Sequence, residues 1–367
     1  MQGHSKPTPV NLNSGACACG FEQASLITRT ELHRTNLETI VSKEDTQPIS
    51  SARPEGYAAL SNYVMVRISG PGADKFVQGQ FTQHVDEITP EQSRRAAACS
   101  PKGRAYCLTR LVRDGGDLLM NLDTRVAEDT LSRLRKYLML FRGTTMEVLP
   151  GARMIGLIGQ PAATAVAGHD ATALSQPGQV LQTDTGYLIR IEDTGAQVPR
   201  YEWWQPSAER PAPIELAELS LNDWQASSIS AGVPWLTPVT LEAHVPQMLN
   251  LQHLQGVHFK KGCYTGQEVI ARMHFLGQLK KSLFRLSFSN TERAPEEGTK
   301  LLANGKTVGE VVNAIMTGDH QGEMLAVLRH DADTESLSVD GREGIRVQLE
   351  PLPYPVPERE QGTQADT

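Results

Sequence analysis

The chain has 367 residues, 35 Lys and Arg against 42 Asp and Glu, and a formal net charge of −7. That length accommodates two or three domains with a sizeable core, and the acidic balance excludes a general polyanion-binding surface, so no direct nucleic-acid contact is expected and any anion site must be local. The five cysteines, at 17, 19, 99, 107 and 263, fit neither a disulfide scaffold nor a Cys-x-x-Cys metal site, and no run approaches the roughly 20 apolar residues of a membrane span. The first residues lack an apolar signal core. The expectation is therefore a cytoplasmic protein without membrane contact or a metal of its own.

Residues 1–55 are rich in Ser, Thr, Pro, Asn and Gln, without sustained periodicity. They read as a disordered extension that carries Cys17 and Cys19. From Tyr63 to Ile68 the alternation of apolar and other residues predicts a strand. Ser69-Gly70-Pro71-Gly72 turns the chain into a short helix from Ala73 to Gln78, with Phe76 and Val77 facing inward. The glycines here do not make a dinucleotide loop, because Lys75 stands where the third glycine of G-x-G-x-x-G would be. The turn Pro101-Lys102-Gly103-Arg104 separates two strand-like runs, the second from Ala105 to Val112. Asp114 to Asp117 then turns it into a hairpin partner, Leu118–Leu122.

Leu131, Leu134, Leu138 and Phe141 recur at helical spacing and predict an amphipathic helix from Val126 to Phe141. Strands are expected at 145–149, 153–158 and 188–191, and a short helix at 162–167. A Pro-rich connection, 206–213, leads to a helix expected from Ile214 to Ile229, closed by Gly232-Val233-Pro234. After Lys281 the texture changes to short strands, at 283–288, 307–312, 324–328 and 345–349. Gly, Asn and Asp turns separate them, as in a small β-barrel. The last dozen residues are polar and read as a frayed tail.

The most informative stretch is Lys260-Lys261-Gly262-Cys263-Tyr264-Thr265-Gly266-Gln267-Glu268, followed by Val269-Ile270-Ala271-Arg272. Thr265 and Glu268 have the spacing of a capping box, which places a helix start at Thr265. Cys263 then lies just outside a positive helix end beside two lysines, a setting that lowers a thiol pKa. It reads either as a reactive or ligating thiolate or as a small turn residue packed under the helix.

Lys-Gly-Cys-Tyr-Thr-Gly-Gln-Glu resembles the signature of the YgfZ family of folate-binding proteins. These are similar to the T-protein, the aminomethyltransferase of the glycine cleavage system, and act in iron–sulfur cluster maintenance. Ser69 to Gln80, Cys99 to Arg104, Trp224 to Pro234, Pro246 to Leu251 and Glu350 to Tyr354 resemble further blocks of that family. The resemblance implies an α+β fold: two intertwined mixed α/β domains of T-protein type over 56–278 and a small β-barrel over 279–355, around a central folate channel, with 356–367 as a tail. It puts tetrahydrofolate in that channel, with Tyr63 and Trp224 as stacking aromatics. Gln247 and Asn250 would supply hydrogen bonds, Lys260, Lys261 or Arg272 would meet the carboxylates, and Cys263 would sit at the channel's edge as the working thiol. The T-protein's catalytic carboxylate segment falls on Lys102 to Cys107, where no acid stands. Aminomethyl transfer is accordingly the lesser expectation beside an accessory role for iron–sulfur enzymes, including those that modify tRNA, and beside a non-catalytic folate-binding module. A single cysteine cannot hold a cluster alone, so iron–sulfur client proteins or assembly factors are the expected partners.

Overall fold

In the computed structural model of the chain, residues 55–207 and 215–356 are described. The expected N-terminal extension with Cys17 and Cys19, and the tail from 357 onward, lie outside them. The strands are β1 Gly56–Ala59, β2 Tyr63–Ser69, β3 Arg94–Cys99, β4 Ala105–Asp114, β5 Asp117–Asp123, β6 Thr145–Val148, β7 Arg153–Ile158, β8 Val180–Thr183, β9 Gly186–Ile191, β10 Arg200–Gln205, β11 Lys281–Ser289, β12 Lys300–Ala303, β13 Lys306–Gly318, β14 Gln321–Arg329, β15 Leu337–Val339 and β16 Arg346–Glu350. The helices are α1 Ala73–Gln80, α2 Thr124–Leu138, α3 Gln160–Ala167, α4 Leu221–Ser230 and α5 Gln267–Phe275.

These strands form three antiparallel sheets, in the orders β3-β4-β5-β2-β6, β1-β7-β10-β9-β8 and β15-β12-β13-β14-β11-β16. The first two are interwoven by the chain itself. β1 belongs to the second sheet, β2 to β6 follow one another in the first, and β7 to β10 complete the second. The whole first sheet is thus inserted between β1 and β7 of the second.

Period-2 alternation decides which face each residue serves. On β2 and β5, Val66, Ile68, Leu118, Met120 and Leu122 turn to α1 and α2, while Met65 and Leu119 turn to the other side. On the second sheet, Leu157, Leu188, Tyr201 and Trp203 pack on α3. Met154, Ile158, Ile189 and Trp204 face inward to meet Met65 and Leu119. The two sheets thus share an apolar layer, and the cavity described below lies at one end of it. The third sheet curls round its own core of Leu286, Phe288, Val311, Met324 and Leu328, and its edge strands β15 and β16 lie against each other without a ladder between them. The architecture is the α+β fold expected: two interwoven mixed parts and a C-terminal half-barrel. Among the described residues no helix is long and apolar enough to cross a membrane.

Three local expectations are corrected. The helix expected from Ile214 begins at Leu221, because the backbone at Ala217 and Leu219 is hydrogen-bonded to Tyr57 beside β1. Its start is set by a capping box between Ser220 and Asp223. The helix expected to reach Phe141 stops at Leu138, and Phe141 instead packs edge-on against Phe76 at 5.6 Å. The capping box expected at Thr265 does not form. α5 starts at Gln267 after Gly266, whose φ is +85° and which no side chain caps. A Cβ on Gly266 would stand 2.6 Å from the Ser100 carbonyl oxygen, so the turn needs glycine there. Thr265 is displaced from the capping position and donates to Gln80 Oε1 at 3.3 Å.

Candidate functional site

A cavity of about 50 Å3, partly open to solvent, lies where one end of the first sheet meets β10, α4 and the segment after α4. The first sheet contributes Tyr63, Arg95, Cys107, Thr109, Asn121 and Asp123; β10 contributes Arg200 and Glu202; α4 and its sequel contribute Trp224, Ser228 and Val233 to Leu236. Strand ends and a helix start converge here because the interwoven chain brings the two sheets together at this end.

Trp224 is seated by an absence. On β7, a Cβ at position 156 would stand 2.4 Å from Trp224 Cε3, so only glycine leaves room for the indole. The Arg200 guanidinium covers the ring, with Cζ 4.5 Å from its centroid, and Nη2 donates to Ser228 Oγ at 2.6 Å. Trp224 is 4 % exposed, so the cavity meets an arginine–tryptophan pair rather than a bare indole. Tyr63 is half-buried and offers the more open ring. Burial first, then the Asp123 and Glu202 carboxylates, push its phenol pKa up, so it stays a neutral hydroxyl.

The charged lining is arranged in pairs. Glu192 takes a fork from Arg95 at 2.7 and 2.5 Å, and Arg110 Nη2 reaches the same carboxylate at 3.4 Å. Burial alone would raise the Glu192 pKa, but the two guanidinium groups overturn that and hold it at about 2. Asp123 caps α2 and is closed by Arg125 at 2.8 and 2.9 Å. Glu202 is different. It is 7 % exposed, gives Oε2 to Trp204 Nε1 at 2.9 Å and stands 4.0 Å from Arg110 Nε. It brings a buried carboxylate to the cavity wall. Trp235, 8 % exposed, lines the same cavity with an indole N–H that has no hydrogen-bond partner among the described residues.

Of the residues expected at the site, the cavity brings together Tyr63 and Trp224. Gln247 and Asn250 do not line it. Gln247 Nε2 donates to the Ile270 carbonyl at 2.7 Å, and Asn250 clamps Leu283 through bonds of 2.8 and 3.3 Å. Both side chains tie the turn at 246–251 to α5 and β11. Lys261 is also committed elsewhere. Its buried ammonium donates to the Gln78 and Phe81 carbonyls at 2.6 and 2.5 Å beneath Tyr264, and burial brings its pKa down to about 7. Lys260 and Arg272 are exposed on the outer surface and do not line the cavity.

Cys263 is exposed rather than packed under the helix, and it too is absent from the cavity lining. Its loop is held rigid by Lys261 and by Thr265 N, which donates to the Gly79 carbonyl at 3.1 Å. The turn at Ser100–Gly103 packs directly on this loop and on Val269. That turn feeds β4, whose first residues include Cys107 in the cavity wall. Burial raises the Cys99 thiol pKa and pushes that of Cys107 up to about 12, so neither ionises at neutral pH. Among the described residues no group of three His, Cys, Asp or Glu side chains is gathered as a metal site.

Sequence reasoning did not single out Arg95, Arg200, Glu202 or Trp235. A signal existed for two of them: Arg200 and Glu202 interrupt the otherwise aromatic run Tyr201, Trp203, Trp204. A charge inside a strand with no polar face is a buried charge, and buried charges mark sites.

No family model matches the chain. It is 31 % identical over 316 residues to the tRNA-modifying protein YgfZ of Klebsiella pneumoniae (strain 342), covering 84 % of this chain and 96 % of that one. It is 32 % identical over 324 residues to the tRNA-modifying protein YgfZ of Escherichia coli O7:K1 (strain IAI39), covering 85 % and 97 %. Among solved structures, the glycine cleavage system aminomethyltransferase T from Bartonella henselae superposes with a TM-score of 0.60 at 16 % identity, over 82 % of this chain and 86 % of that chain. The last likeness concerns the fold alone. The motif around Cys263, the interwoven sheets with their half-barrel, and the near-complete mutual coverage all agree: the chain belongs to the YgfZ family.

Proposed function

We propose that this protein binds a reduced folate in the cavity and serves as a cytoplasmic accessory factor for iron–sulfur enzymes, among them those that modify tRNA. The role in tRNA modification comes from the relatives' name. The folate reading is carried by one observation: a buried carboxylate, Glu202, in the wall of a cavity that also holds Tyr63 and the Arg200–Trp224 pair. A pterin's aminopyrimidinone edge presents two adjacent N–H donors. A carboxylate is the acceptor that matches them, through Oε1 of Glu202 and the second lone pair of the Oε2 that accepts from Trp204. The tyrosine ring offers an apolar face for stacking.

When bound, the folate would supply one-carbon or reducing chemistry. The chain's own residues bind it, orient it and shield it from water. Aminomethyl transfer is the lesser reading. Cys107, Leu108 and Thr109 wall the cavity there, and none carries a fixed charge to stabilise an iminium cation. Cys263 works outside the cavity. One exposed thiol cannot ligate a cluster alone, since clusters take about four ligands. It acts on a cluster only together with the ligands of an iron–sulfur client or assembly partner.

Calorimetry with tetrahydrofolate tests the cavity. Glu202→Gln keeps the bond to Trp204 and removes the charge, and it should weaken binding by about 10- to 100-fold. Native protein that takes up no tetrahydrofolate would sink the folate reading. The accessory role is tested in cells lacking the gene. Cys263→Ala should fail to restore thiomethylated tRNA where the native gene restores it. Full restoration removes the thiol from the mechanism.

A further inference from the structure

We infer that Trp235 is a specificity-determining ligand contact, its indole N–H donating to the ring carbonyl oxygen of the folate whose N–H edge Glu202 accepts. This rests on the folate reading and adds to it the residue that selects a 4-oxo over a 4-amino pteridine.

The argument starts from an imbalance. Trp235 is 8 % exposed, and its Nε1–H meets no acceptor among the described residues. Buried donors without acceptors are rare in folded chains, and each calls for an explanation. Several other polar groups around the cavity already have protein partners. Thr109 Oγ1 donates to the Asn121 carbonyl at 2.9 Å, Thr130 Oγ1 to the Tyr106 carbonyl at 3.3 Å and Ser228 Oγ to the Trp224 carbonyl at 3.2 Å. Arg95 is forked onto Glu192. Trp235 Nε1 is a buried donor of the wall with no acceptor among the described residues.

Its position is also fixed from outside the cavity. Asn313, fully buried on β13, accepts from Trp235 N at 3.1 Å and donates to its carbonyl at 3.0 Å. Asn313 reaches that backbone from an irregularity in the ladder between β13 and β14, where the register shifts between Val311 and Asn313. The half-barrel therefore holds Trp235 against the cavity with a two-bond clamp. A rigidly placed, unpaired donor is what discriminates a ligand carrying an acceptor from one that does not. Once Glu202 has taken the two N–H groups of an aminopyrimidinone, the ring's strongest remaining acceptor is the neighbouring carbonyl. That atom is replaced by an amino group, a donor, in 4-amino analogues.

The test compares tetrahydrofolate with tetrahydroaminopterin, which differ at C4, on native protein and on Trp235→Phe. The contribution of Glu202 is common to both proteins and cancels in the comparison. The preference for the 4-oxo ligand, whatever its native value, should fall by about ten-fold in Trp235→Phe. In native protein labelled with 15N-tryptophan, tetrahydrofolate should move the Trp235 indole N–H signal downfield and tetrahydroaminopterin should not. This second measurement decides the matter even where the variant fails to fold. An unchanged preference in folded Trp235→Phe, or an indole signal that responds alike to both ligands, overturns the assignment while leaving folate binding intact. Native protein that binds neither ligand overturns the folate reading, and this inference falls with it.

Discussion

Glu192→Gln should destabilise the protein by about 3 kcal/mol, because it leaves Arg95 and Arg110 buried without their common counter-charge. The Arg110 and Glu192 side chains are 2 % and 13 % exposed, so solvent screens little of the loss. The same carboxylate predicts an acid transition. Its folded pKa, about 2, lies below the ordinary value of 4.5. A depressed carboxylate contributes stability that is fully present above the unfolded pKa and is lost as pH falls through the folded one. The window is thus from about pH 5 down to about pH 2, and two and a half units amount to about 3 kcal/mol. Urea midpoints of native protein should fall steeply through that window, and those of Glu192→Gln should fall less. Parallel acid profiles for the two proteins would show that the fork on Glu192 is not what the fold leans on.

Gly156→Ala should cost about 1–3 kcal/mol and impair the cavity at the same time. The added methyl would stand 2.4–2.6 Å from three atoms of the Trp224 indole, well inside contact distance. Neither neighbour yields easily. Gly156 is held on both sides of β7, opposite Ala58 and Glu202, and Trp224 is pinned beneath Arg200. The indole must therefore tilt and carry the guanidinium with it. Thermal unfolding measures the cost, and near-ultraviolet circular dichroism reports the displaced ring. Pairing Gly156→Ala with Trp224→Leu removes the bulk that clashes and should recover part of the lost stability. If the double variant is no more stable than the sum of the single changes, the clash is not the cause.

The two parts of the candidate site have different logic. The cavity is built from groups that interwoven strands deliver from five regions of the sequence. The Cys263 loop is local and stiff: a lysine spent on two carbonyls, a buried Tyr264 and a glycine that admits the Ser100 turn. The Ser100–Gly103 turn joins them, touching the loop and feeding β4 into the cavity wall.

The linear order of residues determined a good deal. Alternation marked β2, β4, β5 and β7, leucine spacing marked α2, and the short strands after Lys281 marked the half-barrel, because periodicity and turn chemistry are local properties. The eight residues from Lys261 to Glu268 determined the family, and the Cys263 they contain is exposed. What a polar side chain does was decided by the tertiary structure alone. Gln247, Asn250 and Lys261 look like ligand contacts in the sequence, yet each is consumed by a backbone carbonyl 23 to 183 residues away. Arg95, Glu202 and Trp235 reach the cavity only because the first sheet is inserted between β1 and β7 of the second and the half-barrel clamps Trp235. A hydrogen bond is satisfied by whichever group folding brings within about 3 Å, and that is a property of the assembled chain.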